Sequence, residues 1–123
     1  MNRLFLGVLI SSVVIPIGQP VLANLKFGKA NAMLPLARAM CHISAGNMTR
    51  KDAYELAEIQ LQRQGYRNSK QLLSDGKVRK YAKFISNQYK KNGVNCYSAR
   101  DINRENKRMK NYIDTKMMLL TEF

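Results

Sequence analysis

The chain has 123 residues, enough for one domain, and its 21 Lys and Arg residues against 8 Asp and Glu residues give a net charge of +13 at pH 7. Such an excess favours an anionic partner, whether nucleic acid, anionic lipid, a cell-wall polymer or an acidic protein face. One histidine and two widely separated cysteines exclude a zinc site built from closely spaced Cys and His ligands, so we expect no metal or cofactor.

Residues 1–23 have the features of a secretory signal peptide. Arg3 supplies the positive charge, an uncharged apolar run extends from Leu4 to Ile17, and small or apolar side chains precede a cleavage point after Ala23. The alternative, an uncleaved membrane anchor, is disfavoured because this run is shorter than the roughly 20 residues that span a bilayer. We therefore predict that residues 24–123 form a single basic domain, exported to a periplasm, a lumen or the medium.

Both cysteines, Cys41 and Cys96, fall in this predicted domain. In an oxidising compartment they are expected to form one disulfide. The bridge would close a loop of about 56 residues, which the chain-entropy model values at roughly 4 kcal/mol. The alternative, two free thiols in a reducing compartment, conflicts with the predicted export.

Residues that start and end helices recur along the chain and predict a helical fold. Gly46, Gly65 and Gly93 each follow a segment with helical periodicity, as a left-handed C-terminal stop does. Thr49 and Ser98 each precede a new segment and have an Asp three positions later, close to a capping box. We predict an all-α bundle of about four helices with short connections. The helices are expected near 32–45, 50–64, 75–91 and 99–120, with a short turn or helix around 69–73.

Each long segment carries one apolar stripe at 100° per residue. The first two stripes comprise Met33, Leu36, Ala37, Met40 and Ile43, and then Ala53, Leu56, Ala57 and Leu61. The last two comprise Val78, Tyr81, Ala82, Ile85 and Tyr89, and then Ile102, Met109, Tyr112, Ile113, Met117 and Leu120. No stretch alternates with period two for long enough to predict a strand.

The outer side of segment 75–91 combines cations with one aromatic side chain. Lys83 groups with Arg79 and Lys90 about 120° from the apolar stripe, whereas Lys80 and Lys91 lie further round the helix. Phe84 projects from near the back of the helix, beside Lys80 and Lys91. Phe84 therefore either fills a second contact, such as the 66–73 connection, or stands exposed in a basic patch. We predict Lys80, Lys83, Phe84 and Lys91 as candidate contacts for an anionic partner.

The outer side of the last segment is also cationic and supplies Arg100, Arg104, Lys107 and Arg108 as further candidates. Arg104 and Arg108 form an unfavourable like-charge i,i+4 pair, which favours a counter-charge in a partner. The alternative is a solvated face of a basic protein.

Catalytic patterns are weak. Cys41 and His42 are adjacent, but consecutive helical residues diverge by about 100°, so we expect Cys41 at the buried edge, His42 pointing away, and no thiol–imidazole dyad. The pairs Glu55–Glu58 and Asp101–Glu105 have helix-face spacing, yet excess Lys and Arg around them favours capping and ion pairing over acid–base chemistry.

The function that these features favour is an exported, non-enzymatic binding module that docks its basic helices on an acidic protein or an anionic envelope component. One alternative is nucleic-acid binding, which predicts a steep salt dependence but fits poorly with export. A second alternative is a cationic membrane-active protein, which requires a broad exposed apolar face. No small-molecule substrate is evident from the sequence.

Overall fold

The computed structural model describes residues 25–121, so the predicted signal peptide and its cleavage point lie outside the described residues. A short 3-10 turn at Leu25–Phe27 leads into six α-helices, and residues 25–121 contain no strand. The helices are α1 Gly28–Ser44, α2 Arg50–Arg63, α3 Ser69–Ser74, α4 Gly76–Lys91, α5 Ala99–Arg108 and α6 Lys110–Leu120. The prediction of an all-α bundle is confirmed.

Most helix ends lie at the capping residues and glycines that the sequence predicts. The Thr49 hydroxyl accepts a hydrogen bond from the backbone N–H of Asp52, at 3.1 Å, and the Ser98 hydroxyl accepts one from that of Asp101, also at 3.1 Å. Gly46, Gly65 and Gly93 have φ of 74°, 96° and 65°, the left-handed region that glycine adopts without steric cost. Local sequence chemistry therefore determines where α2 and α5 begin and where α1, α2 and α4 end.

The first helix begins at Gly28, four residues before the predicted start, and Pro35 lies inside it. Proline is tolerated best in the first turn of a helix, and the predicted start at residue 32 places Pro35 close to that turn. Gly28 allows the earlier start because its backbone packs closely on α3: a Cβ there would lie 3.2 Å from a methyl group of Leu72. The Asn31 amide also donates to the Tyr66 hydroxyl at 2.8 Å, which anchors this first turn.

The predicted helix 99–120 is two helices, because the chain turns at Met109. The Met109 N–H is shared between the carbonyl oxygens of Glu105 and Asn106, both at 3.1 Å, as in a tightened helix end. α6 packs on α1 and α4, whereas α5 contacts the rest of the bundle least. The turn lets α6 bury Ile113 and Leu120 in the common core.

The core forms around α1, which contacts α2, α3, α4 and α6. The predicted stripes supply most of it, since Met33, Leu36, Leu61, Val78, Ile85 and Tyr89 are fully buried. Leu56 is the exception: it was predicted in the buried stripe of α2, but half of its surface is exposed. The small side chains of Ala53 and Ala57 form the contact of α2 with its neighbours, so Leu56 lies at the rim of the interface.

The predicted disulfide between Cys41 and Cys96 is present, with Cα atoms 5.8 Å apart. It ties α1 to the segment that joins α4 to α5. Arg38 reinforces the same junction, because its guanidinium donates to the carbonyl oxygens of Cys96 at 2.9 Å and Tyr97 at 3.2 Å. The bridge therefore holds the start of α5 against the central helix.

No helix within residues 25–121 combines the length and the apolar character that a membrane-spanning helix needs.

Candidate anionic-partner interface

All of the basic residues predicted to meet an anionic partner are exposed on α4 and α5: Lys80, Lys83, Lys91, Arg100, Arg104, Lys107 and Arg108. Residues 25–121 contain three ion pairs: Lys29 with Asp75, Arg104 with Asp101, and Lys110 with Asp114. Six of the seven predicted contacts therefore carry a charge that no carboxylate of the described chain neutralises.

Phe84 both makes a second packing contact and remains partly exposed, so each of the two alternatives considered for it holds in part. Its ring stacks on Tyr112 of α6, with centroids 4.3 Å apart and planes inclined by 27°, and 43% of its surface is still exposed. The second contact is thus α6 and not the 66–73 connection. Tyr81 lies beside this pair, and the Lys116 ammonium stands over the Tyr81 and Tyr112 rings, at 4.9 and 5.3 Å from their centroids.

Lys83 lies apart from Lys80 and Lys91 around α4, as the helical projection predicts. Lys80, Phe84 and Lys91 lie within about 40° of one another around α4, and we call these three residues the Phe84 flank. Lys83 lies on the other flank, where it lines a pocket together with Arg50 and Arg79. The candidate cations of α4 are therefore divided between two sides of the helix, as their helical spacing predicts.

The exposed cations of α5, Arg100, Arg104, Lys107 and Arg108, are called the α5 ridge below. Arg104 donates to the Asp101 carboxylate at 2.9 Å, which offsets part of the repulsion between Arg104 and Arg108. The ridge is thus a solvated array in which one member is paired, and the like-charge argument for a partner is weaker than the sequence suggested.

Two side-chain hydrogen bonds fasten α5 to the end of α4. The Tyr89 hydroxyl donates to the Asn106 side-chain oxygen, and the Asn92 amide donates to the Glu105 carboxylate at 2.6 Å. Glu105 is buried, in contrast to the surface ion pairing expected for it. Burial also raises the pKa of the Tyr89 hydroxyl, which remains a neutral donor. These bonds hold α5 against the C-terminal end of α4.

Cys41 and His42 do not form a nucleophilic pair. The Cys41 sulfur is bonded to Cys96, so it is not available as a thiolate. His42 was expected to point away from the bundle, but it is only 5% exposed because Tyr97 covers it, with ring centroids 4.7 Å apart. Burial and then the nearby Arg38 guanidinium lower the pKa of the His42 imidazole. Residues 25–121 contain no group of three or more potential metal ligands.

Sequence reasoning missed a groove of about 470 Å³ between α1 and α2. Exposed Leu56, Ile59 and Tyr97 line it, and Arg38 and Arg63 add positive charge. The i,i+3 spacing of Leu56 and Ile59 was the available signal, because it defines an apolar edge beside the alanine stripe. Tyr97 had no such signal, since long-range contacts bring it to this place: the disulfide beside it and its hydrogen bonds with Arg38 and Asn47.

No protein-family model, curated protein or solved structure matches this chain.

Proposed function

We propose that this chain is an exported, non-enzymatic binding module that docks the cations of α4 and α5 on an acidic protein or an anionic envelope component. The observation that carries the proposal is the set of exposed cations on these two helices, most of which lack a counter-charge within residues 25–121. Carboxylate or phosphate groups of a partner would supply that charge.

The long-range field favours this role more than any single contact does. An exposed ion pair contributes only about 0–1 kcal/mol, but many unpaired cations on two helices create a potential that attracts acidic partners and speeds association. The Phe84 flank adds an exposed aromatic surface, and aromatic side chains are enriched where proteins meet. Affinity for the partner is therefore expected to fall as the salt concentration rises.

Export is supported by two independent features. The N-terminal segment has the pattern of a cleavable signal peptide, and the Cys41–Cys96 disulfide is of the kind that persists in oxidising compartments. An acidic surface protein or an anionic polymer of the envelope is accordingly favoured over nucleic acid as the partner.

The test is a pull-down from the exported fraction of the host with the wild-type protein and two charge-matched triple variants. The ridge variant carries Arg100→Gln, Lys107→Gln and Arg108→Gln. The control variant carries Lys51→Gln, Arg67→Gln and Lys70→Gln, three exposed cations on α2, on the connection that follows it and on α3. We expect the wild type and the control to retain an acidic partner at low salt. The ridge variant should capture about tenfold less of this partner than the wild type does.

Recovery of no acidic partner at either low or high salt would overturn the proposal. Equal loss in the two variants would also contradict it, because the effect would then follow total charge and not the α5 ridge. A duplex DNA retained more strongly than any exported component, with a steep salt dependence, would favour the nucleic-acid alternative.

A further inference from the structure

A pocket lined by Lys83 lies where the end of α1, the start of α2 and the middle of α4 meet. It has a volume of about 280 Å³. We call it the Arg79 pocket and define it by Arg50, Tyr54, Arg79, Lys83 and Ser86. We propose that the Arg79 pocket is a discrete binding site for the phosphate group of a phosphate ester. The site goes beyond the docking surface proposed above and shares only Lys83 with it.

Three positive charges converge on this concavity without a negative one. Arg50, Arg79 and Lys83 line the pocket, no Asp or Glu does so, and none of the three cations forms an ion pair within residues 25–121. Glu58 lines the adjacent depression, which shares Tyr54 and Arg79 with this pocket, but it forms no ion pair with Arg79 or with any other described residue. Since like charges repel, an anion in the pocket would stabilise this arrangement.

Tyr54 holds the two guanidinium groups in place. The Arg50 and Arg79 Cζ atoms lie 5.8 and 5.9 Å from the centroid of the Tyr54 ring, within cation–π range. Arg50 also donates to the Tyr54 hydroxyl at 3.2 Å. Guanidinium groups fixed in this way present planar forks of N–H donors, which match the oxygens of a phosphate group.

Ser86 provides an independent observation at the same site. Only 4% of this residue is exposed, it lines the pocket, and its hydroxyl has no hydrogen-bond partner within the part of the chain that the structure describes. A buried hydroxyl without a partner is unfavourable and uncommon in folded proteins. A phosphate oxygen in the pocket would accept the hydrogen bond that the protein does not satisfy.

The size and walls of the pocket favour an ester over free phosphate. Its volume is several times the roughly 30 Å³ that one water molecule occupies in the liquid. Met40 and Ile43 line it beside the polar groups and are partly buried. A phosphate group bonded to a small organic group would place its charge on the cations and its carbon atoms against these apolar side chains. Both soluble phosphate esters and phospholipid headgroups have this chemistry.

In the first arm of the experiment, the folded protein is titrated with glycerol 3-phosphate at low salt and the amide NMR shifts are followed. In the second arm, its co-sedimentation with phosphatidylglycerol vesicles is compared with that with phosphatidylcholine vesicles. We expect shifts concentrated at Arg50, Arg79 and Ser86. Arg79→Gln should weaken binding by about tenfold or more, and Ser86→Ala by severalfold, because each removes a donor to the phosphate oxygens. Lys90→Gln is the matched control, since Lys90 is an exposed cation of the same helix that does not line the pocket.

The pattern across ligands and variants decides the outcome. Binding of glycerol 3-phosphate that depends on Arg79 and Ser86 supports the site with a soluble ester, and the same dependence for phosphatidylglycerol vesicles alone supports it with a lipid headgroup. Absence of both overturns the proposal. Equal weakening by Arg79→Gln and Lys90→Gln also overturns it, because binding would then follow the overall charge. None of these outcomes affects the α5 ridge, which the ridge and control variants test separately.

Discussion

At the residue scale, the buried polar side chains have environments that their helical positions alone did not indicate. His42, Ser86 and Glu105 are all buried. Tyr97 covers His42, and Asn92 donates to Glu105, whereas Ser86 has no hydrogen-bond partner within residues 25–121. Two of these groups are thus accounted for by packing, and the third indicates a ligand.

The pKa of His42 is a direct test of its burial. We expect the imidazole signals of this single histidine to titrate with a midpoint below the ordinary value of 6.5, because burial and then the Arg38 guanidinium disfavour its protonated form. Tyr97→Ala uncovers the ring and should move the midpoint back towards 6.5. A wild-type midpoint at or above 6.5, read from the NMR titration, would contradict the buried position.

The same shift makes stability depend on pH. The folded-state pKa of His42 is lower than the unfolded one, so the unfolded chain binds the proton first as the pH falls. The contribution of His42 to the free energy of unfolding is complete above about pH 6.5 and declines as the pH falls towards the folded-state pKa. Urea unfolding between pH 7.5 and 5 measures this decline, and His42→Gln should remove it.

At the element scale, α4 is the helix on which the two proposed surfaces meet, and Asp75 determines where it begins. The Asp75 carboxylate accepts hydrogen bonds from the backbone N–H groups of Lys77 at 3.0 Å and Val78 at 3.1 Å. It also forms an ion pair with Lys29 of α1, at 3.1 Å. One side chain therefore caps α4 and orients it against the central helix.

Two substitutions of Asp75 separate the contribution of helix capping to stability from that of the ion pair with Lys29. Asp75→Ala should lower the free energy of unfolding by about 1 kcal/mol, and Asp75→Asn by less, because asparagine also caps helices. Chemical unfolding at neutral pH measures both changes. Equal losses for the two variants would show that the ion pair with Lys29 matters more than the cap.

The pH dependence of the same variants follows from the pKa of Asp75. Burial acts to raise this pKa, but the hydrogen bonds from Val78, Lys29 and Lys77 and the charge of Lys29 outweigh it and leave the pKa below its usual value. The stabilisation is present above the unfolded-state pKa, near 3.9, and is lost as the pH falls through the folded-state pKa. The difference between wild type and Asp75→Asn should therefore shrink as the pH falls below about 4.

At the scale of the whole molecule, the Cys41–Cys96 disulfide holds the weakest part of the bundle. α5 contacts the other helices least, and its attachments include the side-chain bonds from Tyr89 and Asn92 and, just before it, the bridge and the hydrogen bonds from Arg38. A helix of 10 residues with little packing is marginal by itself. The bridge therefore maintains the α5 ridge in the geometry that the proposed docking requires.

Removing the bridge should loosen α5 before the rest of the fold. The double variant Cys41→Ala, Cys96→Ala is expected to lose about 2–4 kcal/mol of unfolding free energy. Amide hydrogen exchange should show that residues 99–108 lose protection while the α1 amides retain most of theirs. Chemical reduction of the wild type is the control and should give the same pattern. A uniform loss of protection along the chain would contradict the assigned role of the bridge.

The sequence by itself determined the helical class, most of the core and most of the helix ends, although not the start of α1 or the turn between α5 and α6. Stripes such as Val78, Ala82 and Ile85 are buried as their spacing predicts, and the caps at Thr49 and Ser98 have the predicted hydrogen bonds. The disulfide followed from the predicted export and the presence of two cysteines. These features depend on interactions within one turn of helix or on composition, so they can be inferred without knowing which elements are neighbours.

Only the tertiary structure decided how the charged residues are grouped. A helical projection gives the angle of Lys83 on α4, but not that α2 supplies Arg50 and Tyr54 beside it. It likewise could not show that Tyr97 covers His42, or that α6 gives Phe84 its second contact. The physical reason is that periodicity fixes directions around one helix axis, whereas a binding site depends on side chains that distant segments bring to the same place.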